Sequence, residues 1–482
     1  MIIDSRRTFM NTIVKFIERK FLPVAVVIGS QKHLLALRDA FINLMPLTMA
    51  GSMAVLLNAL LRDIPNTYLG TGNGVTTFPL IAWIISLNGI VWGGTLAVMG
   101  IMLSITLGYT IAKSYDVNKV AGAIVSLAAY LMGLPQSAGT STTLTLSDVL
   151  PANIADMIQA SGATIATADG VSTITVTGSA WGYFNFSGYF GATGMFTVIL
   201  FSFLSVIIFS KLMKKNITIK LPESVPPAVS RAFSAIIPGV LSLYGSAVIY
   251  FVLKQSWALG TQPVSDWITE HIQQPLLGIS QGYGSVFIIV LLVHLLWFFG
   301  LHGTNIMGAV LNSTYGVAQL QNLAAYESGT DIPYKWVSGS FEAFVWPGGA
   351  GVTIALIVSI LILSKRADYK MVGKLGLGPG LFNINEPIMF GIPVVLNPLL
   401  IVPFILAPLA TATISYFATI WGLVSPVVIS VPWVMPVFLS GFLATAGDWR
   451  SLVLTAVNMA VAFAIWAPFI IAANGADSPS DN

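Results

Sequence analysis

The chain lacks cysteine altogether and carries little charge. Its 482 residues include no Cys, and Asp, Glu, Lys and Arg together make up 9%. The missing thiols exclude disulfides, a thiolate metal site and a cysteine nucleophile, so any covalent step on a thiol must take place on another protein. The four histidines, His33, His271, His294 and His302, are scattered without metal-ligand spacing, and no metal site or cofactor is expected. A soluble domain carries about 25% charged residues. The shortage here, with 55% hydrophobic residues and a mean hydropathy of +0.83, reads as a polytopic membrane protein. The net charge of +3 is small, and no nucleic-acid partner is expected.

What is there is mostly apolar. Runs long enough to cross a bilayer, which needs about 20 residues, occur near residues 41–61, 92–112, 119–134, 188–210, 234–254, 283–301, 341–364, 393–420, 425–445 and 451–473. The expected fold is an all-α polytopic membrane protein with about ten transmembrane helices. No signal peptide is expected, because Arg6, Arg7, Lys15, Glu18, Arg19 and Lys20 interrupt the N-terminus. Phe9, Ile13, Phe16, Ile17 and Phe21 recur at helical spacing, so residues 8–21 read as a basic amphipathic helix. It would lie on the membrane surface or pack on the protein's own cytoplasmic loops.

Basic residues cluster at Arg6 to Arg38, at Lys211 to Arg231 and at Lys365 to Lys374, which should be cytoplasmic. Residues 136–180 hold no Lys or Arg, are rich in Ser and Thr, and should form an outer loop, with strand character at 171–177. Span parity then leaves residues 302–340 with an extra crossing or a re-entrant hairpin. Residues 375–392 are too interrupted by Gly376, Gly378, Gly380, Pro387 and Gly391 for a simple span, and Pro393 follows. Two re-entrant hairpins are therefore expected in the C-terminal half, and such broken segments point to a transport site. The division reads as an N-terminal cytoplasmic or interfacial segment (1–40), a scaffold domain (41–231), a transport domain (232–474) and a polar tail (475–482); the family resemblance described below makes the scaffold the dimer interface and the transport domain the carrier of a sugar.

Asn383-Ile384-Asn385-Glu386-Pro387 places a carboxylate and two amides between apolar flanks. A carboxylate at membrane depth is costly and marks a site; the competing role is capping of half-helix N–H groups. His302 sits at the end of Trp297-Phe298-Phe299-Gly300-Leu301 and before Gly303, where an imidazole can donate and accept and the glycine lets backbone approach a ligand. His294, in an apolar run, reads as structural. Trp297 and Trp433 can stack on sugar rings or belong to the interfacial aromatic belt. Pro347-Gly348-Gly349-Ala350-Gly351 reads either as an unwound segment near substrate or as close helix packing.

Several stretches taken together resemble the membrane subunit, domain IIC, of the bacterial phosphotransferase system, in its lactose/cellobiose/diacetylchitobiose family. They are Phe21-Leu22-Pro23 through Lys32-His33, Arg38-Asp39-Ala40-Phe41, the run from Lys220 to Gly239, Trp297 through Gly303, Ser364 through Tyr369, and Phe382 through Pro387. The resemblance implies a homodimer, a scaffold half that supplies its interface, and a C-terminal half that carries the sugar across the membrane. It implies phosphorylation of the sugar's 6-hydroxyl by a phosphocysteine on a separate IIB protein, with IIA upstream. On that footing the chain is the membrane component of a protein-phosphocysteine–sugar phosphotransferase. Glu386 and His302 match the family's catalytic carboxylate and histidine. Trp297, Gly303, Asn383, Asn385 and Trp433 fall to substrate binding. The expected substrate is a β-linked disaccharide of the cellobiose or diacetylchitobiose kind. The expected location is the bacterial inner membrane, multi-pass and in contact with lipid, with the N-terminus cytoplasmic. The rival readings are a proton-coupled sugar symporter with Glu386 as proton site, and a membrane sugar sensor.

Overall fold

The computed structural model describes residues 27, 30–69, 76–146, 150–160, 163–168, 171–181, 189–222, 224–255, 262–392, 394–395, 397 and 399–474. The amphipathic segment expected at 8–21 and the tail 475–482 lie outside them. Helix α1 (Lys32–Asn43) begins under a side-chain cap, with Gln31 accepting from the Leu34 amide. Helices α2 (Met45–Asn58), α3 (Pro79–Gly94), α4 (Met99–Ser114) and α5 (Lys119–Met132) follow. Helix α2 runs on through a π-helical turn to Leu69. The apolar stretch Pro79–Ser114 is longer than the span expected at 92–112, and it breaks after Gly93-Gly94 at Thr95.

The expected outer loop is a folded unit. Strands β1 (Ser137–Leu146), β2 (Thr164–Ala168) and β3 (Val171–Trp181) form an antiparallel sheet in the order β1-β3-β2. Ser137 pairs with Trp181 and Leu146 with Ser172, so the unit leaves and rejoins the helical frame at adjacent points. β-Branched Val, Ile and Thr dominate β3, which suits a pleated, half-covered surface.

Helices α6 (Met195–Lys214) and α7 (Pro227–Gln255) follow, and α7, most of which the sequence division assigns to the transport domain, packs on α5 and α6 of the N-terminal half. The C-terminal half contains α8 (Tyr283–Phe298), α9 (Val317–Ser328), α10 (Thr353–Leu363), α11 (Ala367–Leu381), α12 (Ile401–Ile420) and α13 (Arg450–Ala473). Among the described residues, six helices are long and apolar enough to cross a membrane, or seven if the pair Val264–Ser280 and Tyr283–Phe298, bent by 70°, is one span.

Three sequence expectations change. The span expected at 341–364 is two pieces, because Gly348, Gly349, Gly351 and Val352 all adopt positive φ between them. The span expected at 425–445 is helical only over Val437–Ala444. The glycines of 375–380 do not break their segment: α11 runs unbroken through them, and Gly376 and Gly380 let it lie against Ile388 and Ile357.

The apolar core forms two clusters. One joins α1, α2 and α4–α6 to residues between Val264 and Leu454; the other lies wholly within the C-terminal half around Val290, Trp336, Phe404 and Trp466. The halves are also tied by polar contacts, Tyr326 to Asp63 at 2.6 Å and the Tyr68 hydroxyl to the Gly447 carbonyl at 2.5 Å.

Candidate functional site

Four pieces of broken backbone meet in the C-terminal half. Helix α8 ends at Phe298, and a turn with Gly300 at φ +75° carries the chain to His302. The unwound 346–352 segment comes next. The third piece is the turn Phe382–Asn385 between α11 and the short helix Glu386–Gly391. The fourth is the irregular stretch at 425–436, which carries Trp433 between prolines. Non-helical backbone at membrane depth is tolerated where protein buries it or where it lines a cavity.

Hydrogen bonds hold these pieces together. Asn383 sits at φ +63°, in the left-handed region where Asn is one of the few tolerated side chains. Its Oδ1 accepts the Gly348 amide at 2.7 Å, and its Nδ2 donates to the carbonyls of Trp433 at 2.7 Å and Met435 at 3.1 Å. Asn385 Nδ2 donates to the Ala350 carbonyl at 3.3 Å. Gly349 has to be glycine, since a Cβ there would lie 2.6 Å from the Asn385 side chain. The 347–351 segment is thus unwound beside the cavity and closely packed at once.

The result is a cavity of about 340 Å³, at the lower end of the range for small-ligand sites. Trp297, His302, Asn383, Asn385, Glu386 and Trp433 all line it. Gly303 does not: it lies against α8, where a Cβ would come 2.0 Å from the Val293 carbonyl oxygen. Its small size serves helix packing. His294 is fully buried, bonded through Nδ1 to the Val290 carbonyl at 2.7 Å, and is structural.

The polar groups differ in what they have free. The Asn383 amide is fully engaged with backbone, so this residue positions the others. His302 Nδ1 accepts from the Asn305 amide at 3.3 Å, with the Thr304 hydroxyl 3.1 Å away. A ring that accepts at Nδ1 carries its proton on Nε2 when neutral, which leaves a donor available to a ligand. The imidazole packs on Trp297, ring centroids 4.4 Å apart and planes tilted by 46°. Glu386 is the first residue of its short helix, is exposed, and accepts no hydrogen bond from another described residue. Its carboxylate does not cap the helix. Trp297 is packed at 6% exposure, whereas Trp433 presents half its surface.

Sequence reasoning missed part of the wall. Glu342 and Trp346 line the cavity, and the Trp346 indole N–H donates to Glu342 Oε2 at 3.0 Å. Glu342 stands in a π-helical turn, Phe341–Val345, a distortion common at functional sites. Thr304 and Asn305, just beyond His302, and Met45 of α2 also line it, with Val293, Gly349 and Ala350. Among the described residues no group of three or more acidic or histidine side chains has metal-site geometry. The arrangement offers flat aromatic faces, a carboxylate acceptor, an imidazole donor and amides, which suits a neutral polyhydroxylated ligand.

The chain is similar to known proteins over nearly its whole length. The cellobiose-specific EIIC component of the phosphotransferase system (PTS) from Lactococcus lactis subsp. lactis (strain IL1403) is 41% identical, over 96% of this chain and 98% of that one. The oligo-beta-mannoside-specific EIIC component of Bacillus subtilis (strain 168) is 33% identical, over 94% and 92%. The lichenan permease IIC component of the same organism is 31% identical, over 95% and 93%. Among solved structures, the transporter ChbC, the IIC component of the N,N'-diacetylchitobiose-specific phosphotransferase system, superposes with a TM-score of 0.81 at 29% identity, covering 95% of this chain and 97% of that one. The family profile described as "Phosphotransferase system, EIIC" matches residues 38–408, and the chain is a member of that family of multi-pass membrane transporters.

Proposed function

We propose that this protein carries a β-linked disaccharide of the cellobiose or diacetylchitobiose kind across the bacterial inner membrane and presents it for phosphorylation by a separate IIB protein. The carrying observation is the cavity itself. Six of the seven residues singled out in the sequence meet there, drawn from segments as far apart as Trp297 and Trp433. The relatives' names point to β-glycosides.

In this reading Trp297 and Trp433 cover the apolar faces of the sugar, and His302 Nε2 donates to a hydroxyl. Glu386 accepts the 6-hydroxyl. That oxygen attacks the phosphorus of the IIB phosphocysteine, the P–O bond forms as the P–S bond breaks, and the hydroxyl proton passes to the Glu386 carboxylate. The thiolate leaves with IIB. General-base help of this kind contributes about 10²–10⁴-fold. The protein has about ten crossings with two re-entrant hairpins, ending near His302 and Glu386, and works as a homodimer with its N-terminus cytoplasmic. The apolar face of α7, with Val240, Tyr244, Val248 and Phe251 exposed, is then available to lipid or to the second copy.

The test is Glu386→Gln in purified, reconstituted protein supplied with phosphorylated IIB. Sugar binding should persist within a few-fold, and phosphorylation should fall by at least about 100-fold. Phosphorylation at the wild-type rate would remove Glu386 from the chemistry.

A further inference from the structure

The end of the α1–α2 span that lies away from α1 is bonded to the transport half at two places. That span runs antiparallel to the Pro79–Ser114 stretch along its length. The Ala36 carbonyl accepts the Thr110 hydroxyl at 2.8 Å, Gly51 lies against Leu96, and Asn58 accepts from the Asn88 amide at 2.8 Å. At its far end, Asp63 Oδ2 accepts the Tyr326 hydroxyl at 2.6 Å. Arg62 braces Asp63 through Nε at 2.6 Å and Nη2 at 3.3 Å, and its charge also attracts Glu327. Further along, the Tyr68 hydroxyl donates to the Gly447 carbonyl at 2.5 Å and accepts the Trp449 amide at 3.2 Å. Gly447, at φ +94°, meets Ile64 so closely that a Cβ there would lie 2.6 Å from the Ile64 side chain.

The two elements that grip this end belong to one body. From α9, Gln319 donates to the Val428 carbonyl at 3.1 Å and Asn322 to the Val427 carbonyl at 2.9 Å. The Val428 and Ile429 amides in turn donate to the Ala444 carbonyl, just before the turn at 446–449. Asp448 fixes that turn by accepting the Ser425 amide and the Arg450 guanidinium, each at 2.8 Å. Helix α9 and the turn must therefore move together. At the opposite end of the span the halves are parted. A cavity of about 220 Å³ lies between Arg38, Ile42 and Met45 on one side and Thr304, Asn305 and Asn312 on the other.

We propose that Asp63, Ile64 and Tyr68, with Tyr326 and Gly447, form a latch that shuts the outer face in the state seen here and must release before sugar enters from outside. This rests on the sugar-permease reading and on its placing of the basic start of α1 in the cytoplasm. The latch is built to release. Tyr68 is 48% exposed, and the Arg62 and Asp63 side chains keep 30% and 24% of their surface, so water can take over each hydrogen bond as the halves part. Such an exchange costs little per bond. The alternative is a permanent weld, with the halves pivoting elsewhere.

The chain has no cysteine, so one introduced thiol reports access to the cavity. Met45→Cys places it on the cavity wall. In sealed right-side-out vesicles, an impermeant thiol reagent added outside should label position 45 about fivefold faster when Tyr326→Phe or Tyr68→Phe deletes one hydroxyl. The pair together should be faster still. Met157→Cys, on the exposed β-sheet unit, should label at the same rate in every background. Lower thermal stability with unchanged labelling at position 45 would identify a weld and overturn the latch. A second arm locks it. In Ile64→Cys with Gly447→Cys, the Cβ at 447 falls 3.7 Å from that of residue 64, within the disulfide range. Oxidation should abolish uptake of radiolabelled cellobiose driven by phosphorylated IIB, and reduction should restore it. Equal uptake by the oxidised and reduced forms overturns the latch, and so does failure to cross-link. The labelling arm uses neither sugar nor IIB, so it can fail while the permease reading stands. Absence of uptake by the wild type would sink that reading and the latch's role with it.

Discussion

Asn383 accepts the backbone amide of Gly348 at 2.7 Å, and this bond joins two of the breaks that shape the cavity. The same side chain reaches the carbonyls of Trp433 and Met435. One amide thus fixes the unwound 346–352 segment, the turn before Glu386 and the loop that carries Trp433. Its donor and acceptor are both required, so it cannot be replaced by a group that only accepts.

Asn383→Asp should therefore lose most sugar binding. It keeps the acceptor for Gly348 but sets a carboxylate against two carbonyl oxygens, and an unmatched buried polar group costs about 1–3 kcal/mol. Titration of sugar into the folded variant checks this. Near-native affinity would show that the turn holds without the clamp.

The two tryptophans should answer differently to truncation. Trp433 is half exposed, so Trp433→Ala should weaken sugar binding by roughly tenfold with little loss of stability. Trp297 is packed against His302, so Trp297→Ala should cost both affinity and thermal stability. Trp297→Phe should be milder, because a smaller ring still covers part of the sugar face, with aromatic contacts contributing about 0.5–1.5 kcal/mol. Affinities unchanged in all three variants would assign both residues to packing or to the interfacial belt.

The β-sheet unit should be dispensable for transport. Thr140 and Gly178 are register partners, so residues 141–177 can be replaced by a two-residue Asn-Gly turn that closes the remaining β1–β3 ladder. Uptake should stay near the wild-type rate. A cysteine introduced at the exposed Met157 should react with an impermeant reagent added outside. Labelling only from the cytoplasm would reverse the assigned topology.

Asp448 gives a pH-dependent contribution to stability. Burial would raise its carboxyl, but hydrogen bonds from the Arg450 side chain and from the Ser425 and Arg450 amides outweigh it and hold it at about 2. An unperturbed Asp titrates near about 3.9. The folded form is the one with the depressed value, so the contribution is complete above about pH 4 and fades as pH falls toward 2. Asp448→Asn should lower thermal stability at neutral pH, and the gap from wild type should narrow on acidification through that window. A gap independent of pH would rule out the charge as its source.

The site was more legible in the sequence than the frame around it. Glu386 and His302 stood out because polar groups between apolar flanks are rare at that depth. Glu342 carries the same signal, between Phe341 and Ala343, but the apolar window around it, 341–364, reads as a single span. What breaks that window is four consecutive-region positive-φ positions, and one of them, Val352, has no residue-type signature. The opposite error occurred at 375–380. There the glycines read as helix breakers, yet Gly376 and Gly380 serve close packing of α11 on Ile388 and Ile357. Composition does not distinguish the two uses of glycine; the neighbouring helix does. Contacts across the halves, such as Tyr326 with Asp63, depend on how distant segments dock, and local pattern holds no trace of them.

The most direct measurement uses sealed vesicles carrying the reconstituted protein and radiolabelled cellobiose outside, with phosphorylated IIB protein supplied on the cytoplasmic face. The account predicts that sugar accumulates inside as the 6-phosphate, that accumulation requires the phosphorylated donor, and that Glu386→Gln abolishes it. Accumulation of unmodified sugar driven by a proton gradient alone, with no phosphate acquired, would contradict it and identify a symporter.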